Sequence, residues 1–233
     1  MGIYIPGEEV IQKIREQTDT ILLSFSCSKD SIAAWLAIRP YFKVIPYYLY
    51  LIPDLTFVNK SIAYYEDFFE TKIIQKQHPS LARMLRNMVF QSPENCETIY
   101  DADIPKIDYD FQVSQVAKIA CVASPWTATG VRAADSPMRR IILKKHGVIN
   151  YTSKKFYPIH DWNKERLIDE LKKSKIKLPI DYKLFGRSFD GIDYRFLKPI
   201  KDNLPEDYQK IIDIFPLANI EILRREAHEK RHG

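Results

Sequence analysis

The sequence predicts an α/β fold, a doubly wound and mostly parallel sheet carrying a helical C-terminal extension. Three observations predict it: short β-rich runs alternate with helical stretches over the first 150 residues, no internal repeat or low-complexity segment interrupts them, and two helical stretches close the chain. Gly7 to Arg15 places apolar residues at helical spacing, and Thr20 to Phe25 is an apolar run suited to a buried strand. Ser26 to Asp30 is a loop, and the helix-favouring Ser31 to Arg39 stops at Pro40, whose ring cannot continue a helix. The unit recurs with a strand over Lys43 to Leu51, a helix over Val58 to Glu70 and a third strand over Thr71 to Gln75. Further helices are expected at Ser80 to Val89, Gln112 to Val122 and Ser136 to Lys145, with a strand at Thr127 to Val131. Leu178 to Arg195 is aromatic and charged without a period, which predicts a loop packed by its own side chains. Glu206 to Ile214 and Leu217 to His228 are the closing helices. The expected division is therefore an α/β domain over residues 1–177 and an extension over 178–233.

Length and composition narrow the function classes. A chain of 233 residues holds one large domain, or one with an appendage, at about 150 residues per domain. Hydrophobic residues make up 45% and charged ones 28%, so wholesale disorder is excluded. The longest apolar runs, such as Val44 to Pro53, fall short of the roughly 18 residues of a membrane span. The first residues hold no basic stretch leading into an apolar one, so no secretory signal is expected and the location indicated is cytoplasmic. Cys27, Cys96 and Cys121 are too few and too scattered for a disulfide framework or a thiolate metal site, and an iron–sulfur cluster held by this chain alone is not expected.

The net charge of +5 conceals an asymmetry. Residues 1–117 carry 11 basic and 15 acidic side chains, and residues 118–233 carry 24 and 15. Between Arg139 and Lys177, 12 Lys or Arg face 4 acids. Such a stretch attracts polyanions, nucleic acid among them, or forms a pair of solvated helix faces. Exposed aromatic content at Tyr47 to Leu51 and Tyr182 to Phe189 is compatible with a homodimer.

The loop after the first strand is where an open α/β fold binds its ligand, because the next helix presents unpaired N–H groups to an anion. Ser26-Cys27-Ser28-Lys29-Asp30-Ser31 supplies hydroxyls, a lysine and a carboxylate, which is phosphate-binding chemistry, while the Walker A spacing is absent. This loop resembles the PP-loop, SGGxDS, of the adenine nucleotide α-hydrolase-like superfamily. Gly130-Val131-Arg132-Ala133-Ala134-Asp135-Ser136 resembles the second signature of the phosphoadenosine phosphosulfate (PAPS) reductase branch, and Tyr157-Pro158-Ile159-His160-Asp161-Trp162 its later Pro-Ile-x-x-Trp element. His78-Pro79-Ser80-Leu81, Phe185 to Gly191 and Phe215-Pro216-Leu217 are similar to segments of a PAPS-reductase-like group common in phages and bacteria.

The resemblance implies an adenine nucleotide α-hydrolase-like fold that binds ATP, or PAPS, with Mg²⁺. It implies a nucleotide grip by the backbone of residues 27–31, with Ser24, Ser26, Cys27, Ser28, Ser31 and Gly130 lining the site. Lys29 would supply charge, Asp30 would orient the loop or meet Mg²⁺, and Arg132 would clasp phosphate through its planar fork. Three activities fit: an ATP pyrophosphatase that adenylylates an acceptor ahead of sulfur or nitrogen transfer, a PAPS reductase drawing on an external thiol, or a nucleotide-binding module without turnover. The first two would engage a sulfur-donor or thiol-reductant protein. Sulfur metabolism or nucleic-acid modification is the setting this implies.

Two departures from the pattern stand out. The paired glycines are here Cys27 and Ser28, so the loop either avoids a positive φ or stores roughly 1–2 kcal/mol of strain at such a residue. The C-terminal cysteine nucleophile of the assimilatory reductases is missing, since the last cysteine is Cys121. A helix N-terminus beside Lys29 favours the thiolate of Cys27, giving it a redox or persulfide role as the alternative to a small glycine substitute. Asp135 and Ser136 are expected to cap the helix that begins near Pro137. Weaker candidates for substrate or lid contacts are His78, Asp161 and Arg187; His78 has capping as its alternative, and Arg187 a place in a buried ion network with Asp190, Asp193 and Arg195.

Overall fold

The structure, a computed structural model, describes residues 5–232. The chain runs α1 (Gly7–Arg15), β1 (Thr20–Ser24), α2 (Lys29–Ile38), β2 (Lys43–Tyr50), α3 (Thr56–Phe69), β3 (Ile74–Gln77), α4 (Pro79–Arg86), α5 (Pro93–Asp101) and α6 (Tyr109–Ile119). It continues with β4 (Trp126–Thr129), α7 (Pro137–His146), β5 (Ile149–Asn150), β6 (Lys155–Phe156), α8 (Lys164–Ser174), α9 (Asp181–Phe185), α10 (Tyr194–Asn203), α11 (Pro205–Ile214) and α12 (Asn219–His232). Among the described residues six strands form one sheet in the order β3-β2-β1-β4-β6-β5. β1 is parallel to β2 and to β4, β4 is parallel to β6, and β5 and β6 pair antiparallel. The doubly wound, mostly parallel sheet is thus present. Among the described residues no helix is long and apolar enough to cross a membrane.

Two compact units are built from this chain. The first comprises the residues up to Tyr48, Tyr64–Gln75 and Ser114–Leu178; the second comprises Leu49–Ala63, Lys76–Val113 and the residues from Pro179 on. In the first, β1 buries Ile21, Leu22 and Leu23 in succession, as a central strand covered on both faces must. Helix α2 buries Ile32, Ala33, Ala34, Trp35 and Ile38. Trp35 stacks on Phe69 at 3.8 Å, and Phe25 meets Trp35 and Tyr65 edge-on at 5.0 and 5.3 Å. The Tyr65 hydroxyl donates to the Lys177 carbonyl (2.9 Å), while the Tyr64 hydroxyl accepts the Lys177 N–H (2.9 Å).

The second unit gathers Phe57, Phe185, Phe189 and Phe196 into a cluster with centroids 5.2–6.3 Å apart, edge-to-face except for the tilted Phe185–Phe189 pair. Beside it the buried Asp207 carboxylate caps α3, accepting the N–H groups of Thr56 (2.7 Å) and Phe57 (3.1 Å) and pairing with Lys210 (3.0 Å).

Several expectations are corrected. The strand expected over Thr71 to Gln75 starts only at Ile74, because the Thr71 N–H closes the end of α3 on the Glu66 carbonyl (3.0 Å) and the Ile73 N–H goes to the Glu66 side chain (2.8 Å). The loop expected over Leu178 to Arg195 contains α9, ended by Gly186 at φ +70, and the start of α10, capped by Asp193. No buried ion network forms there: Arg187 pairs with Asp190 and Arg195 with Asp193, both half exposed. Helices α5 and α8 and the β5–β6 hairpin lay outside the sequence expectations.

Burial pushes the Asp207 carboxyl up, but the Thr56 and Phe57 N–H groups and Lys210 outweigh it and hold it below the usual 3.8. Asp207→Asn is expected to cost about 1–3 kcal/mol in urea denaturation at neutral pH. A depressed folded-state value stabilises in full above the ordinary carboxylate range, and this contribution is lost as pH falls through that lower value. The gap between wild type and variant should accordingly close in strong acid.

Candidate functional site

The sheet order defines the place. From β1 the chain winds outward through β2 and β3, while β4, β6 and β5 lie on the other side of β1. The winding reverses between β1 and β4, and at such a switch point the two outgoing loops separate and leave a crevice beyond the carboxyl ends of the strands. Ser24, the last residue of β1, is in register with Thr129, the last of β4. The loops that leave them carry the two motifs, Ser26 to Ser31 and Gly130 to Ser136.

The first loop is tied by hydroxyl groups. Ser28 is the N-cap of α2, its oxygen accepting the Ser31 N–H at 3.3 Å. The Ser31 hydroxyl donates to the Ser28 carbonyl (2.9 Å) and accepts the Ser26 N–H (3.2 Å). The hydroxyl oxygens of Ser26, Ser28 and Ser31 lie within 3.0–3.4 Å of one another. Of the two positions where the resembled motif has glycine, Ser28 is extended and Cys27 takes φ +55. Cys27 is buried, 4% exposed. The loop therefore keeps its left-handed turn and stores the strain at Cys27.

Gly130 is the glycine the second loop needs. A Cβ there would stand 2.5 Å from the Asp30 carbonyl oxygen and 2.8 Å from the Ser31 nitrogen, inside the first turn of α2. Its smallness lets the two motif loops meet backbone to backbone.

Charges alternate along one chain of contacts. Lys29 Nζ lies 3.0 Å from one Asp30 oxygen, and Arg132 Nε is 2.7 Å from the other. Arg132 Nη2 pairs with Asp135 (2.5 Å), and the second Asp135 oxygen takes Arg139 (2.7 Å). Arg132 Nη1 donates to the Trp162 carbonyl at 3.3 Å. Arg132 is 4% exposed, so its guanidinium binds loops together rather than presenting an open fork to the crevice.

Each remaining candidate has a defined place. Ser136 caps α7, accepting the Arg139 N–H (3.2 Å), whereas Asp135, expected as a cap, bridges the two arginines. Asp161 accepts the Gly7 N–H (3.1 Å) and anchors the start of α1, where a Cβ on Gly7 would meet the Pro158 oxygen at 2.3 Å. Trp162 is buried under the Arg166 guanidinium, 4.6 Å from the ring centroid. His78 and Arg187 belong to the second unit. His78 caps α4 with Nδ1 on the Ser80 N–H (3.0 Å), which leaves the ring proton on Nε2, 3.1 Å from the Tyr109 hydroxyl. Burial, reinforced by Arg83, holds this imidazole below its ordinary value of 6.5. Arg187 faces the Phe196 ring at 5.9 Å besides its pair with Asp190.

Sequence reasoning missed the bridging role of Asp135; its i, i+4 spacing to Arg139 was the available signal. It also missed Thr129, whose buried hydroxyl oxygen has no protein partner. Among the described residues no cluster of three or more His, Cys, Asp or Glu could hold a metal ion. Both Asp30 oxygens face cations in this structure, Lys29 and Arg132, and no step below is routed through Mg²⁺.

No family model matches the chain, and no curated protein matches it. Solved structures are similar to it, among them two enzymes. One is an NH3-dependent NAD synthetase from Campylobacter jejuni subsp. jejuni NCTC 11168 in complex with the nitrate ion, at 10% identity over 94% of this chain and 92% of that one, with a TM-score of 0.47. The other is a phosphoadenylyl-sulfate (PAPS) reductase from Candida auris as a phosphate complex, at 14% identity over 80% and 88%, with a TM-score of 0.45. At these values neither likeness fixes a family or an activity for this chain.

Two substitutions separate strain from packing in this site. Cys27→Gly and Cys27→Ala both remove the thiol, but only glycine relieves the left-handed backbone, so the glycine variant should be the more stable by about 1 kcal/mol in chemical denaturation. Asp30→Ala leaves the buried Arg132 half-paired and should cost about 3 kcal/mol, measured the same way.

Proposed function

We propose that the chain binds an adenine nucleotide at the β1–β4 switch point and is an ATP pyrophosphatase that adenylylates an acceptor ahead of sulfur or nitrogen transfer. The observation that carries this reading is the junction of the two motif loops: Gly130 pressed on the first turn of α2, with three serine hydroxyls and Lys29 at that helix start. Phosphate oxygens would be met by the N–H groups and positive dipole of the α2 N-terminus and by Ser26 and Ser28. Lys29 would turn from Asp30 to phosphate, and Asp30 stays compensated because Arg132 holds its other oxygen. Arg132 acts as a positioning residue that keeps both loops in register.

In the reaction an acceptor oxygen attacks the α-phosphorus, the bond from that phosphorus to the bridging oxygen breaks, and pyrophosphate leaves with the electron pair. Negative charge grows on the leaving group where the loop N–H groups and Lys29 lie, which lowers the barrier. The Cys27 thiol is buried, and a sulfur-attacking role for it is not part of this reading.

Calorimetric titration with ATP in the presence of Mg²⁺, with PAPS and with adenosine 3′,5′-bisphosphate tests it. ATP should bind, pyrophosphate should be released slowly, and Lys29→Ala should weaken binding about tenfold to a hundredfold with an unchanged melting temperature. Preference for the 3′-phosphorylated ligands would replace this reading with PAPS reductase chemistry using an external thiol. Binding without pyrophosphate release would leave a nucleotide-binding module.

A further inference from the structure

Helix α7 is exposed along almost its whole length, with Leu143 its buried residue. Met138, Ile141 and Ile142 are 63%, 58% and 45% exposed, and their i, i+3, i+4 spacing puts them on one face with Lys145 following at i+7. Leu143 points the other way, into the first unit. An apolar centre beside the cations of Lys144 and Lys145 has the make-up of a protein interface, apolar core with a charged rim. Nucleic-acid surfaces are more polar and more cationic than protein interfaces, and three large aliphatic side chains at the centre do not suit a phosphate backbone. Elsewhere in the basic stretch two cations of α8 are paired, Arg166 with Glu8 and Lys173 with Glu170, whereas α7 sets Lys144 and Lys145 beside exposed aliphatic side chains.

The same chain carries the complement. Residues 93–113 hold six carboxylates, Glu94, Glu97, Asp101, Asp103, Asp108 and Asp110, against the single Lys106. Helix α5 within this segment has no fully buried residue. Glu94, Glu97 and Asp101 share its outward face by their i, i+3, i+7 spacing, and Tyr100, 75% exposed, lies at the edge of that face. An outward face carrying a large aromatic residue and like charges gains from a cationic partner. We propose that α7 of one copy docks on α5 of a second copy, with Tyr100 against Met138 and Ile141 and with Lys144 and Lys145 against Glu97 and Asp101. The contact is heterologous, so each copy has one donor face and one acceptor face, and association runs on until it closes on itself.

Sedimentation velocity of the full chain over a concentration series tests this. Reversible self-association that weakens with added salt is expected. Ile141→Glu, Lys145→Glu and Asp101→Lys, all at exposed positions, should each lower the association constant about tenfold or more with unchanged circular dichroism. Mixing Lys145→Glu with Asp101→Lys should restore assembly, because every junction between the two chains then pairs opposite charges. A chain that stays monomeric at all concentrations overturns the proposal, and so does a mixture that fails to rescue. Binding of labelled duplex DNA or RNA that Lys145→Glu weakens and Ile141→Ser leaves intact would make α7 a nucleic-acid surface and overturn it as well.

Discussion

Arg132 is a permanent cation taken out of water, and the arrangement of the candidate site depends on how that cost is met. A buried guanidinium is tolerable only when its N–H groups and charge are answered in place. The answer here comes from three separate segments: Asp30 at the start of α2, Asp135 in the loop after β4, and the Trp162 carbonyl ahead of α8. Losing any one of them leaves part of a buried charge without a partner. The two loops that flank the switch point are therefore coupled, and the first cannot open without pulling Asp30 off the arginine. Lys29 and Arg139 extend the alternation at the two ends, where solvent screens them and their contribution to stability is small.

Backbone geometry reinforces that coupling through two residues of opposite character. Gly130 has no side chain because the α2 backbone occupies the space one would need. Cys27 has a side chain where the backbone would prefer none, at φ +55. The loop thus retains the turn of a glycine-rich phosphate loop without a glycine in it. Packing of the buried Cys27 side chain and the hydroxyl ties among Ser26, Ser28 and Ser31 offset the strain. Residual strain at a ligand loop is a common feature of sites that must hold one geometry before a ligand arrives.

What was legible in the sequence follows from how local the cause was. β1, α2, β2 and α3 announce themselves because a central strand needs consecutive apolar residues and Pro40 stops α2 by covalent geometry. The stretch from Leu178 to Arg195 was illegible because its aromatic residues answer to Phe57, more than a hundred positions earlier, and not to any local period. Helix α8 is mainly polar with Leu167 and Leu171 buried, too thin an apolar stripe to read against a run of lysines. Within the site, the hydroxyl loop and Gly130 could be read from residue type and order. The role of Asp135 was legible only in part: its i, i+4 spacing signals the pair with Arg139, but capping and bridging make the same demand on sequence and only the position of Arg132 decides between them. Asp161 and His78 show the same limit: both are polar groups at helix starts, and the structure gives both to backbone N–H groups.

The commitment of Arg132 also changes how an anion would have to be met. Along the chain Lys29, Asp30, Arg132, Asp135 and Arg139, three cations face two carboxylates, so the net charge offered is a single positive unit spread over five residues. Neutral donors would then carry most of the work: the N–H groups at the start of α2 that are not capped by Ser28, and the Ser26 and Ser28 hydroxyls, which lie beside the Ser31 hydroxyl. Donors of this kind discriminate by geometry more than by total charge, and they favour a phosphate group placed on the α2 axis over an equally charged ion placed elsewhere in the crevice. On the proposed reading, such a site would tolerate the loss of the motif's glycines as long as the turn at Cys27 persists, because the turn would aim the donors and the side chain at that position would not.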